Sequence, residues 1–284
     1  MKITLAVAAN DRRVLESNFL ASPCLATDNQ AGVIIQWNHS SAASAYNEVI
    51  ERSKHDIIVF AHQDVFLGNH WISQFERSLV MLEEMDQSWG VLGCYGITAD
   101  GRYRGYLYSS PQGVHGAPFE RPIPVQTLDE IVLVIRKSSG LRFDQHLPHF
   151  HLYGADICLS AAARGMRSYA IFAPCIHNTR QHRVLPPEFY ECCDYLRRSK
   201  FQHLPIQTTC VRITRSGLPI FMRRLREAYP RFVLRRTKSD TQAPDVHELL
   251  AAFDNIRHGV EGDCSRVEEI TSVRGRGLPT QGPS

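Results

Sequence analysis

The sequence predicts an α/β protein with a mainly parallel central sheet flanked by helices. Three observations carry that expectation. Strand-like and helix-like segments alternate through residue 95, the order that builds a parallel sheet from crossover helices. Residues 56–61 (DIIVFA) are apolar after the first residue, as suits a strand buried on both faces. Three predicted strands end in the polar groups Asn10-Asp11, Gln36-Trp37-Asn38 and His62-Gln63-Asp64, and such sheets bind ligands at those carboxyl ends.

Each element has its own reason. Residues 2–9 (KITLAVAA) read as the first strand, and Asp11 is a good N-cap for a helix over 12–20. Residues 32–37 (GVIIQW) form the second strand. Ser41–Ser53 is a helix with Ala45, Val49 and Ile50 near one face. After the strand 56–61, residues 70–86 make an amphipathic helix whose stripe is Trp71, Phe75, Leu79 and Leu82. Residues 90–95 (GVLGCY) are a fourth strand. Residues 98–124 lack periodicity and read as a long loop, or a hairpin around Arg104-Gly105. Leu128–Lys137 is a strand and Arg142-Phe143-Asp144 a turn. Asp156–Ala163 begins a helix that ends near Gly165, and Asp156 is itself a candidate N-cap. Ser168–Ala173 is a strand stopped by Pro174, and residues 187–202 are a helix.

Composition excludes several classes. With 43% apolar and 21% charged residues in 284, the chain is neither collagen-like nor a coiled coil nor wholly disordered. No apolar run approaches the roughly 20 residues that cross a bilayer. The first residues read as a strand rather than a signal peptide, which points to the cytoplasm. The net charge of +3 does not argue for nucleic acid. Eight cysteines without a CxxC pair argue against a four-cysteine zinc site and fit free thiols in a reducing compartment. Cys158 and Cys175 read as small buried hydrophobes.

His62-Gln63-Asp64 is the sharpest local feature. A carboxylate at the end of a buried strand projects into the ligand crevice, where a hard divalent cation could bridge it to a diphosphate. His177 follows another strand and could add a nitrogen ligand. Taken singly, His62 also reads as a satisfied histidine, and Asp64 as a helix cap.

In order and spacing these segments resemble the family 2-like glycosyltransferases of the GT-A fold. Ser41 through Leu67 (SAASAYNEVIERSKHDIIVFAHQDVFL) resembles their sugar-nucleotide half, with a small-residue loop, an Asn-bearing helix and a strand ending in a D-x-D-type motif. Leu128 through Gly165 (LDEIVLVIRKSSGLRFDQHLPHFHLYGADICLSAAARG) resembles their second half, and Pro174-Cys175-Ile176-His177 their closing strand. The resemblance covers about residues 1–185. It implies a GT-A domain there, with 1–97 as nucleotide-binding half and 98–185 as acceptor half. Residues 186–261 would be a helical basic extension, and 262–284 a disordered tail.

By resemblance, Asp64, His177 and His62 hold a divalent metal. A nitrogen donor where relatives have carboxylate fits Mn2+ somewhat better than Mg2+. Asn10, Asp11, Asn38, Asn47, His62, Gln63, Arg136, Arg180 and Arg183 would face a UDP-, GDP- or dTDP-sugar. Trp37 reads as stacking on a base or, slightly better, as core. Asp156 is the expected catalytic base with His151 as second candidate, although Gly154 stands where relatives carry a first carboxylate. Asp129, Glu130 and Tyr153 would meet the acceptor: a glycan, a lipid-linked molecule or a small molecule. The implied reaction is an inverting single displacement.

Two other readings stay open. Gly154 leaves room for a catalytically degenerate relative that binds a sugar nucleotide or glycan. A nucleotidyltransferase would use a similar sheet, but Ala8 through Arg13 lacks the glycines of its signature loop. Residues 212–238 hold nine basic residues against Glu227 and read either as a helix docked on the catalytic domain or as a peripheral contact with an anionic membrane. No aromatic stacking motif supports RNA binding there.

Overall fold

The computed structural model describes residues 2–27, 31–110, 112–179, 185–228 and 250. The elements begin with β1 (Ile3–Ala9), α1 (Arg12–Ser17), α2 (Pro23–Thr27), β2 (Ala31–Trp37) and α3 (Ala42–Arg52). They continue with β3 (Ile57–His62), β4 (Val65–Leu67), α4 (Trp71–Met85), β5 (Val91–Gly93) and β6 (Tyr95–Ile97). Next come β7 (Tyr103–Ser109), β8 (Gly113–Gly116), β9 (Ile123–Val125), β10 (Thr127–Leu128) and β11 (Val132–Arg136). Then follow α5 (Tyr153–Ala162), β12 (Ser168–Ala170), β13 (Cys175–His177) and α6 (Pro187–Ser199). The last are β14 (Ile206–Gln207), β15 (Arg212–Ile213) and α7 (Leu218–Ala228).

The central sheet has the order β2-β1-β3-β11-β5-β12-β9. Pairings β2–β1, β1–β3 and β5–β12 are parallel, while β11 runs antiparallel between β3 and β5. The α/β class therefore holds, with a reversed strand at its centre. A second sheet has the order β10-β6-β7-β13-β4, with β8 beside β7.

β3 is covered on both faces, as its composition requires. Ile58 and Phe60 join a cluster with α3, α5 and α6, whereas Ile57, Val59 and Ala61 pack with α4 and β1. The period of two continues to His62, which lies on the α5 face. The stripe Trp71, Phe75, Leu79 and Leu82 of α4 is buried, as its spacing predicts. α3 starts at a capping box, in which Ser44 N–H donates to Ser41 Oγ at 3.2 Å. Asp11 caps α1 through the amides of Arg13 and Val14.

Several boundaries differ from the sequence expectation: α1 stops at Ser17, short of the expected 20, and three others share one cause. The runs 90–95, 128–137 and 168–173 each read as one strand. In the first the chain leaves the central sheet after β5, turns at Cys94, and enters the second sheet as β6. The second run starts in the second sheet as β10 and re-enters the central sheet as β11. In the third, β12 stops at Ala170 and β13 continues in the second sheet. The first and third runs stay apolar through the crossing because both sheets bury their residues there, and the second is broken only by Asp129-Glu130.

A further difference is the loop 98–124. Arg104-Gly105 is no turn; it lies inside β7, and the reversals fall on either side, before Tyr103 and after Ser109. Glycine is needed at 105 because its φ is +131° and a Cβ would lie 2.2 Å from the Cys94 carbonyl oxygen.

Candidate active site

Three side chains converge where the chain leaves β3. His62, Asp64 and His177 each offer a ligand atom, and these atoms lie within 4.8 Å of one another. β13 pairs antiparallel with β4, setting His177 opposite Val65 and next to Asp64. Asn178 N–H closes the pairing by donating to the Asp64 carbonyl at 2.8 Å.

The rings are held from behind. His177 Nδ1 is 3.2 Å from Ser109 Oγ at the end of β7, and its Nε2 faces Asp64 Oδ1 at 3.3 Å. Tyr153 donates its hydroxyl proton to the Glu130 carbonyl at 3.3 Å. The same oxygen lies 3.0 Å from His62 Nε2, and His62 Nδ1 lies 4.0 Å from Asp64 Oδ1. Metal-binding histidines are oriented by such partners.

Electrostatics keep the group ready for a cation. Burial alone would raise the Asp64 carboxyl. The hydrogen bond and charge of His177, then the charge of His62, outweigh it and hold the carboxyl at about 2. Burial lowers His62 to about 4 despite the pull of Asp64, so its ring is neutral at pH 7. An ionised carboxylate and a neutral imidazole are the protonation states a metal needs. Two nitrogens with one carboxylate oxygen fit Mn2+ better than an all-oxygen site would.

The turn after β1 is pinned to this centre. The amides of Asn10 and Asp11 both donate to Gln63 Oε1 at 3.1 Å, and Gln63 Nε2 donates to Asn10 Oδ1 at 2.7 Å. Gln63 thus shapes the crevice wall, and Asp11 is engaged as a helix cap. Asn38 has a φ of +56° and ties its amide to the Ala9 carbonyl at 3.0 Å. Trp37 is exposed rather than core, and the Arg12 guanidinium lies 5.6 Å from its ring centroid.

Several sequence expectations meet a different geometry. Asn47 brackets the backbone of Phe143, donating to its carbonyl and accepting from its amide, both at 2.9 Å. It fastens α3 to the turn before α5 instead of facing a nucleotide. Arg136 sits at the far end of the sheet, because the reversed β11 pairs it with Ile57 at the start of β3. There it stacks on Trp89 at 4.4 Å and donates to the Gln87 and Trp89 carbonyls. Tyr153 is buried and orients His62, so it offers no surface to an acceptor. Arg180 and Arg183 lie outside the described residues.

Asp156 is the largest departure. α5 begins three residues earlier than expected, so Asp156 lies inside its first turn and is not its N-cap. Its side chain is 1% exposed and ion-paired to Lys200 Nζ at 3.1 Å. Burial raises its carboxyl above the usual range, and Lys200 offsets part of that rise. Gly154 has a packing reason: a Cβ there would lie 2.7 Å from the Leu128 carbonyl oxygen. Its place in the sequence therefore marks a close approach of α5 to β10. His151 rests edge-on against Phe189, with its basicity lowered by burial.

Two further carboxylates, Asp129 and Glu130, lie at the crossing between β10 and β11. Glu130 accepts the Leu152 amide at the amino end of α5, where Leu152 has a φ of +61° and no cap of its own. Burial, then the charge of Asp129, raises the Glu130 carboxyl to about 8. Asp129 Oδ2 accepts from the Thr209 hydroxyl at 2.6 Å. Sequence reasoning placed both residues toward an acceptor but missed the shifted acidity of Glu130. It missed Ser109 altogether, inside a segment with no periodicity to read.

These groups lie at the carboxyl edge of an α/β sheet, the place where open sheets of this class bind ligands. Residues 24–192 match the glycosyltransferase-like family, and the chain belongs to that family. A curated Fuscovulum blasticum protein, the ATP synthase subunits region ORF 6, is 29% identical over 156 residues. That match spans 52% of this chain and 59% of the relative, less than two thirds of its length. Among solved structures, the chain is similar to the mannosyltransferase PcManGT from Pyrobaculum calidifontis in complex with GDP-Man and Mn2+. The TM-score is 0.42, with 9% identity over 72% of each chain. It is also similar to S. aureus TarS 1-349, at TM-score 0.41 and 10% identity, over 96% of this chain and 90% of that one.

Proposed function

We propose that the protein transfers a sugar from a nucleoside-diphosphate sugar to an acceptor hydroxyl, with inversion and with a divalent metal. The observation that carries this reading is the His62-Asp64-His177 group at the carboxyl edge of the sheet in a chain of this family. His62, Asp64 and His177 would hold the cation, Mn2+ by preference, whose Lewis acidity offsets charge on the departing diphosphate. Ser109 and Tyr153 keep the two imidazoles aimed. Asn10, Gln63, Trp37 and Asn38 line the donor side.

We assign the base to Glu130 rather than Asp156. A base must reach the incoming hydroxyl, and a carboxylate poised near neutral pH serves best. Glu130 adjoins Tyr153, the partner of His62, whereas Asp156 is shut away with Lys200. Deprotonated Glu130 is the active form, so kcat/KM should rise as pH climbs through about 8. Stability should move the other way. The folded state retains a proton that the unfolded chain releases above 4.5. Stability should therefore decline between 4.5 and about 8, by up to about 1.4 kcal/mol per pH unit, and level off above. Glu130→Gln should remove both dependences and slow turnover by about 10²–10⁴-fold. A parental pH profile in that variant would return the base to His151 or Asp156.

The site itself is tested by thermal shift with UDP, GDP, dTDP and CMP, each with and without Mn2+. A ligand at 100 times its Kd adds about 2.7 kcal/mol, which is several degrees at this size. A Mn2+-dependent rise with one nucleotide is expected. The absence of any rise would overturn the donor reading.

A further inference from the structure

α7 is an amphipathic helix facing the wrong way for a helix that is only part of a core. Leu218, Phe221, Met222 and Leu225 recur at helical spacing and share one stripe of about 100°. They are 57%, 60%, 42% and 40% exposed. The opposite side makes the protein contacts. Ile220 is buried there, and Arg223 donates to Glu227, which also accepts from the Tyr190 hydroxyl and the Leu185 amide. The polar side of the helix is thus turned inward and the apolar side outward.

Positive charge surrounds the stripe. Arg224 and Arg226 flank it on α7, and Arg212 and Arg215 are exposed just before the helix. From Pro205 to Ala228 the sequence holds one acid, Glu227, and that acid is taken up by Arg223 and Tyr190. Two copies of this face would bring like charges together, which disfavours self-pairing. An exposed apolar stripe edged by arginine matches an anionic bilayer surface, where acyl chains take the stripe and headgroups take the guanidinium groups.

We propose that α7 seats the protein on anionic lipid through Leu218, Phe221, Met222 and Leu225. The helix is braced to the acceptor edge, because Arg223 donates to the Cys210 carbonyl and the neighbouring Thr209 holds Asp129. Docking would bring that edge toward the membrane and favour a lipid-linked acceptor. This last clause rests on the transferase reading, while the lipid contact stands without it.

Co-sedimentation with phosphatidylcholine vesicles, with and without phosphatidylglycerol, reads the lipid contact directly and needs no activity. The full chain should pellet with the anionic vesicles and be released by salt. Phe221→Ser with Leu225→Ser should weaken binding by about tenfold or more. Arg215→Ala with Arg226→Ala should do the same, since each arginine near such a surface contributes about 1 kcal/mol. These positions are exposed, so both variants should melt with the parent; Met222→Ser serves as a milder check. Failure to pellet, or undiminished pelleting of the apolar variant, overturns the proposal. So does a dimer in light scattering that the apolar variant dissociates, which would assign the stripe to a second copy. Lipid binding with no nucleotide shift in the earlier panel would keep the docking and sink the transferase reading alone.

Discussion

Asp64→Ala should lower kcat/KM for the donor identified by the nucleotide panel by about a thousandfold or more, with the fold intact. A cation at a departing diphosphate is worth several kcal/mol, and about 4 kcal/mol corresponds to three decades in rate. Asp64 is the shared member of the group, facing His177 at 3.3 Å and His62 at 4.0 Å. Without it the imidazoles have no charge between them, and the Mn2+-dependent thermal shift should vanish too. The fold should survive because the β4–β13 junction uses the backbone carbonyl of Asp64, not its carboxylate. Circular dichroism and calorimetry check the fold, and donor hydrolysis or transfer checks the rate. A parental rate would remove Asp64 from the mechanism.

Asp156→Asn should cost stability instead of chemistry. Its carboxylate is 1% exposed, and its partner Lys200 is 15% exposed. Removing one member of a buried pair leaves the other charge uncompensated, at a cost of about 3–5 kcal/mol. At this chain length each kcal/mol moves Tm by about 2–4 °C, so a fall of roughly 10 °C is expected. Lys200→Met should recover part of it in the double variant, because it removes the charge that Asp156→Asn leaves unpaired. Assayed below its Tm, Asp156→Asn should turn over within a fewfold of the parent. A collapse of turnover at unchanged Tm would make Asp156 the base and displace Glu130.

Much of this site could be read from the chain, and the reasons for the gaps are specific. The His62-Asp64 motif was legible because a buried strand that ends in polar residues has few places to put them. His177 was legible because Pro174 and a short apolar run announce a second strand end. The capping of α1 by Asp11 and the stripe of α4 are local patterns and fell where spacing put them. Arg136 was misplaced because periodicity does not report strand direction, and β11 runs against its neighbours. Asp156 was misplaced because a carboxylate near a helix start looks the same whether it faces a crevice or a half-buried lysine 44 positions later. Trp37 was misplaced because β2 is an edge strand, and nothing in GVIIQW says so. Gly154 is legible only after α5 is seen against β10.

The two sheets meet at the triad. His62 closes a strand of one, His177 closes a strand of the other, and Asp64 lies on the chain that passes between them. A cation gripped by all three would therefore act as a clasp as well as a reagent. It would brace the angle between the two β-layers, and the opening at the carboxyl edge would follow that angle. Substitutions deep in the seam, around Cys94 and Cys175 with their sulfurs 3.7 Å apart, would then reach the chemistry by tilting one layer against the other, without touching a ligand atom.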